Sequence, residues 1–414
     1  MNRQVLSWCL FDFANSSYSA VIAAVIFPVY YAGVVVGNEQ GQGDLWWGRA
    51  ISLSMAFVAL SSPFLGGIAD YTSRRKPLLI LYTLLCVCAV AAFSLLRSGM
   101  IIEGFLLIVI ANVGMEGGLV FYNSFLPEIS EPARRGRISA WGFATGYAGS
   151  IASLLLALYL IKTGKVTLVW PLVALFFVVF SLPAFIVLPG GGDRSQLMRA
   201  AAVTGMKETW RRFRELASRR QTRRFLAAYL IYEDGVNTVI VFSGLFAATT
   251  LNFAPDELIT MYLIVQVTAL AGALVMARPT DYWGPKKVIS ASLLLWTAVC
   301  VAAYFVQDKS LFLIVASVAG TGLGTLQAAT RAFYTQFIPG GQESEYFGVY
   351  SMVGKSSAVV GPLLFGFMSS AFGSQRPAIL AVAFFFCAGL LIMSTVQGGG
   401  PTAGAARPVT PSRP

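Results

Sequence analysis

Asp12, Asn15 and Ser16 in "LFDFANSSYS" recur in spacing as Asp234, Asn237 and Thr238 in "YEDGVNTVI". Groups three and four residues apart share one helical face, so each trio can hold a cation or a proton, or accept hydrogen bonds. Glu116, Gln327, Arg331 and Lys355 also interrupt apolar runs, with Glu233 and Gln266 nearby in type. A base in such a place can receive an anion or a carboxylate; an acid can receive an ammonium or a proton. At 1.5 Å rise per residue, Asp12 lies roughly 10 Å and Asp234 roughly 15 Å inside the apolar run that holds it. Arg331 and Lys355 reach similar depths, so four charges of both signs can share one layer. Two roles stay open for them. Asp12 and Asp234 neutralise Lys355 and Arg331 as a structural lock, or the bases bind an anionic group while the acids bind a cation or carry protons. Glu116, near the middle of its run with glycines on both sides, is the first candidate for proton carriage. Its other reading is a protonated acid hydrogen-bonded to a neighbour.

These charges need a membrane scaffold. Hydrophobic residues make up 56% of the chain, charged residues 12%, and mean hydropathy is +0.69, far from the ~25% charged residues of soluble domains. Apolar segments long enough to cross a bilayer recur at about 5–35, 45–69, 77–97, 101–125, 138–161, 168–188, 223–250, 257–277, 286–306, 310–337, 346–371 and 377–397. The expectation is an all-α integral membrane protein of twelve transmembrane helices. The first segment reads as a retained span, being too long for a signal sequence and lacking its cleavage pattern. There is no histidine, and the five cysteines show no metal or disulfide spacing, so no cofactor or metal is expected and nothing suggests a nucleophile with an activating base. An enzyme is not expected.

The net charge of +11 is distributed by topology and not as a nucleic-acid surface. With both termini cytoplasmic, 22 of the 30 Lys and Arg residues fall on the cytoplasmic side, as the positive-inside rule requires. That predicts a multi-pass protein of a bacterial cytoplasmic (inner) membrane, sufficient as a monomer.

The chain also repeats itself. Shifted by 212 residues, "FYNSFLPEISEPARRGRISAWGFATGYAG" (121–149) meets "FYTQFIPGGQESEYFGVYSMVGKSSAVVG" (333–361) with nine identities, among them Gly136, Ser139 and Gly142. Shifted by 211, "GGIADYTSRRK" (66–76) meets "MARPTDYWGPKK" (276–287), aligning Asp70 with Asp281. This predicts two parallel six-helix repeats, 1–188 and 223–397, joined by a basic cytoplasmic linker 189–222 and followed by a disordered tail 398–414. In the linker, Met206, Trp210, Phe213 and Ala217 recur at helical spacing, which suits either an amphipathic helix on anionic headgroups or a plain tether. Gly66 permits close helix approach, and Asp70 with Arg74 and Arg75, like Asp281 with Lys286 and Lys287, forms a candidate gate; the alternative is that these bases only set topology.

The Gly-x-x-x-Asp and basic cluster resemble the loop motif of the major facilitator superfamily, which latches the cytoplasmic gate; the second copy departs from it with Ala277. "LFDFANSSYS", "YNSFLPEISEPARRGRISAWGFATGYAGS", "YEDGVNTVI", "GTLQAATRAFYTQFIP" and "YFGVYSMVGKSSAVVGPLLFG" narrow the resemblance, over about residues 6–395, to the autophagy-related vacuolar amino-acid effluxers and their bacterial relatives. That resemblance implies a secondary active transporter working by alternating access. The expected cargo is a small charged or zwitterionic, amino-acid-like solute moved by export, with protons or sodium as candidate coupling ions and lipids as surroundings. Drug or lipid efflux by the same fold, or a transporter-like sensor, are the alternatives.

Overall fold

The structure, a computed structural model, describes residues 2–37, 42–190, 218–357, 364, 365, 368, 372 and 374–397. The expected linker helix and tail lie outside the described residues. Among those described there is no strand. The helices are α1 (Arg3–Val25, continued at a 43° bend by Phe27–Val36), α2 (Gln42–Thr72), α3 (Arg75–Ala92), α4 (Ile101–Ser124), α5 (Arg135–Lys162) and α6 (Val169–Val187). The second set is α7 (Arg220–Thr249), α8 (Pro255–Trp283), α9 (Pro285–Phe305), α10 (Lys309–Tyr334), α11 (Glu343–Ser356) and α12 (Arg376–Ser394).

Eleven of these are long and apolar enough to span a bilayer when the bent α1 counts as one. For α11 the described helix ends at Ser356, and 11 of the 26 residues of the expected span 346–371 lie outside the described residues. The bend in α1 follows wide π-type turns from Tyr18 to Val25 and comes at Ile26, two residues before Pro28, where proline removes a backbone donor. Leu60, Ile186, Val275 and Leu391 are at least 70% exposed, which is what side chains facing lipid require.

Each half has its own aromatic core. Trp8, Tyr31, Phe93 and Trp170 lie in the first, and Tyr232, Trp296, Phe333 and Phe386 in the second. The halves meet chiefly where α2 packs on α11 and α5 on α8, with α4 against α11 and α5 against α10 adding to the seam. Gly66 is what allows the first of these: a Cβ there would run into the Ser344 carbonyl. The symmetry extends to the sixth helix of each half. Lys76 of α3 donates to the Ile186 and Leu188 carbonyls at 3.0 and 2.9 Å, and Lys286 of α9 donates to those of Ser394 and Val396 at 3.1 and 2.5 Å. A cation at a helix C-terminus satisfies orphan carbonyls and opposes the negative end of the dipole.

Candidate functional site

The end of the bundle that carries the basic clusters is shut by two matching devices. Neither α5 nor α11 has a capping side chain from its own N-cap residue, Arg134 or Gln342. The caps come from the other half. Asp70, at the end of α2, accepts the N–H groups of Ser344 and Glu345 in the first turn of α11 at 3.2 and 2.9 Å. Asp281, at the end of α8, accepts the N–H of Arg137 in the first turn of α5 at 2.9 Å. Capping a helix N-terminus is worth about 0.5–2 kcal/mol, and here that energy exists only while the halves stay together at this end.

The surroundings of the two aspartates differ. Arg75 binds Asp70 at 2.8 Å and also reaches Glu128 and, most closely, Glu343 of α11. Asp281 has Arg137 at 3.3 Å. Although the sequence shift aligns Lys286 with Arg75, the turn before α9 is one residue shorter, so Pro285 takes the helix position of Arg75. Lys286 is thereby turned onto α12 within its own half, which corrects its grouping with the gate. Lys287 and Arg74 are exposed.

Deeper in, Arg331 crosses from α10 into a box made entirely by the first half. Its guanidinium lies 4.7 Å from the Trp8 ring centre, 4.1 Å from Phe143 and 5.9 Å from Tyr122. Nε donates to Ser139 Oγ at 2.9 Å, one terminal nitrogen to the Ser139 carbonyl at 2.8 Å, and the other to Asn123 Oδ1 at 3.2 Å, with Asp12 Oδ2 at 3.5 Å. Trp8 is itself fixed by donating to the Tyr122 carbonyl. The box exists because residue 142 is glycine: a Cβ there would stand 2.6 Å from Trp8, 2.8 Å from Arg331 and 3.0 Å from Asp12. The side chains of Arg331 and Asp12 are only 4% and 10% exposed.

Lys355 of α11 makes a second central ion pair across the halves, with Glu116 of α4 at 2.6 Å, and these side chains are 27% and 15% exposed. Gln327 accepts a hydrogen bond from Tyr147 at 2.9 Å, also across the halves. Asn15 donates to Asp12 at 3.3 Å and Asn237 to Ser357 at 3.2 Å. Asp234 is buried in α7. The two bases of the second half are thus both met by acids of the first, Asp12 and Glu116. Of the expected lock, in which Asp12 and Asp234 neutralise Lys355 and Arg331, the pairing of Asp12 with Arg331 is present, and Glu116 is an ion-pair partner of Lys355. Trp8, Asn123, Ser139 and Phe143 complete the Arg331 site without having been expected there. The identity of Ser139 and Gly142 with Ser351 and Gly354 in the repeat was the available signal.

A fold of two helical repeats latched at one end and charged at the centre is found among transport proteins. The model of the family described as "Vacuole effluxer Atg22 like" matches residues 49–399. The chain belongs to that family. It is 25% identical over 409 residues to the "Uncharacterized MFS-type transporter YxiO" of Bacillus subtilis, covering 95% of both chains. It is 24% identical to Autophagy-related protein 22-1 of Penicillium rubens, over 84% of this chain and 74% of the relative. Among solved structures it resembles the human organic anion transporter MFSD10 (TM-score 0.76, 14% identity, 94% of this chain and 99% of the other). It also resembles the transporter FucP in the outward conformation (TM-score 0.70, 15% identity, 96% and 100%). The fold is that of the major facilitator superfamily, and the protein is a multi-pass membrane transporter, not an enzyme.

Proposed function

We propose that the chain exports a small zwitterionic or anionic solute of amino-acid type by alternating access, and that Lys355 receives the solute's carboxylate. The observation that carries this is the contrast between the two central bases. The Arg331 donors are spent on first-half oxygens inside a sealed box, whereas Lys355 is partly exposed and bound to one carboxylate. A solute carboxylate that replaces Glu116 on Lys355 removes a contact between the halves, so binding itself loosens the seam that rocking must rearrange. With the basic end cytoplasmic, the latched state is the outward-facing one, in a cytoplasmic membrane. Export follows the family's description as effluxers, and amino-acid cargo follows its resemblance; both are carried over by analogy.

An amphipathic cargo is favoured by a different feature. Inside the second half lies a cavity of about 210 Å³ lined by Phe242, Tyr262, Gln266, Trp296 and Phe312, a shape and lining suited to an apolar body.

A thermal-shift screen of the purified protein against amino acids, dipeptides, organic anions and amphipathic drugs separates these readings, since a ligand of the folded state raises the melting temperature by mass action. The proposal expects stabilisation by an amino-acid-like solute that disappears in Lys355→Gln. Stabilisation by amphipathic compounds alone, unchanged in that variant, would sink it.

A further inference from the structure

Gln266 of α8 is only 6% exposed, and it lines the cavity of about 210 Å³ inside the second half. Among the described residues its amide has no hydrogen-bond partner. Trp296 of α9, another wall residue, has its indole N–H buried without an acceptor among the described residues. Polar groups left unpaired away from water are costly, so a buried amide beside a cavity points to a ligand that completes it.

The first half fills the matching space with its own side chains. Asn112 of α4 donates to Ser54 of α2 at 2.6 Å, and Tyr18 of α1 donates to Asn112 at 3.4 Å. In the registers that align Asp12 with Asp234, Asp70 with Asp281 and Phe121 with Phe333, these three positions become Ile240, Val265 and Gly324. Ile240 and Val265 line the cavity. A polar trio that satisfies itself in one half is thus replaced in the other by two apolar side chains and a glycine, with the Gln266 amide alongside.

The walls select the ligand. None of the described lining residues is charged, and Phe242, Phe246, Phe312 and Trp296 make much of the surface aromatic. A dry apolar cavity of roughly 150 Å³ holds benzene, so this one has room for a single ring with one substituent. A carboxamide presents a donor and an acceptor side by side; a second primary amide returns both bonds. We propose that the cavity is a binding site for a neutral, single-ring aromatic amide, held by Gln266 and separate from the central charges. Its described walls all belong to the second half, so the site moves with that half and needs neither the seam nor Lys355. Neither reading of the cargo is required for it.

Fluorine NMR of 4-fluorobenzamide with the purified protein tests the site. The expected result is a bound resonance that excess benzamide displaces and benzoate does not, because the walls offer no partner for its charge. Gln266→Leu should weaken binding roughly tenfold through the lost hydrogen bonds, while fluorobenzene, which has no amide, binds as it does to wild type. Ala316→Phe fills the cavity from α10 and should abolish both signals; Lys355→Gln should change neither. No bound resonance with wild type, displacement by benzoate as readily as by benzamide, or unaltered affinity in Gln266→Leu overturns the proposal. A resonance of full intensity in Ala316→Phe would come from the micelle and overturn it as well. Binding lost in a folded Lys355→Gln variant would make the cavity part of the central site, against its separateness.

Discussion

Two of the ion pairs that join the halves lie at the centre, and they differ in almost everything except charge. Asp12 and Arg331 stand 3.5 Å apart, nearly dry, with the cation pressed on three aromatic faces; Glu116 and Lys355 are closer, at 2.6 Å, and wetter. The first is insulated by packing that no solute can enter without dismantling it. The second is accessible, so a competitor can break it at low cost. Contact distance alone would rank them the other way. What separates the lock from the proposed receptor is who else holds the base.

The largest effect should come from breaking the lock. Arg331→Gln leaves Asp12 buried without its partner, and removing one partner of a buried pair typically costs about 3–5 kcal/mol; a large fall in the melting temperature of the detergent-solubilised protein is expected. Gly142→Ala attacks the same box from its floor and should destabilise in the same direction while leaving every charge in place. If both variants melt like wild type, the box is not a lock.

The latches at the basic end repeat the contrast more weakly. Asp70→Ala removes a helix cap together with the anchor of a half-buried arginine, for about 2 kcal/mol, and Asp281→Ala removes the cap and a more exposed pair, for about 1 kcal/mol. Spin-label distances across the basic end should show both variants opening there, Asp70→Ala further. Equal opening would mean that Arg75 adds nothing to the latch.

Lys355→Gln should change stability by about 1 kcal/mol or less, as expected of a partly exposed pair, yet abolish the thermal response to solute. A variant as unstable as Arg331→Gln would erase the distinction between the two bases.

The smallest effect belongs to a pair outside the spans. Glu257 is held below the usual carboxylate range by its hydrogen bond from Lys309, at 2.6 Å, and then by the Ala254 N–H. A depressed folded-state pKa contributes stability above the unfolded value and loses it as pH falls through the folded one. Glu257→Gln should therefore lower the melting temperature slightly at neutral pH, where the contribution is present, and converge on wild type in acid, so that the acid limb of the profile is flatter.

The architecture was legible because duplication is written in the residues themselves: Asp70 and Asp281, or Gly142 and Gly354, align without any knowledge of packing. Depth was legible too, since helical rise is fixed. Pairing was not. Which acid meets Arg331 depends on how each helix is rotated about its axis, and periodicity in a chain that is apolar all round leaves that angle undetermined. Lys286 was misassigned for a related reason: a one-residue difference in a turn rotates α9 by about 100° relative to α3. The Arg331 box draws on Trp8, Asn123, Ser139 and Phe143 from three separate helices, and none of these carries a charge to announce it.

The described residues on either side of 191–217 are fastened to their own halves. Lys76 fixes the end of α6, while Gln221 and Arg224 tie the start of α7 to Gln397 and Thr395 at the end of α12. What registers the halves is the seam of caps and crossed ion pairs. Supplied as two separate polypeptides, one ending after residue 190 and one beginning at 218, the halves should find each other in the bilayer and copurify.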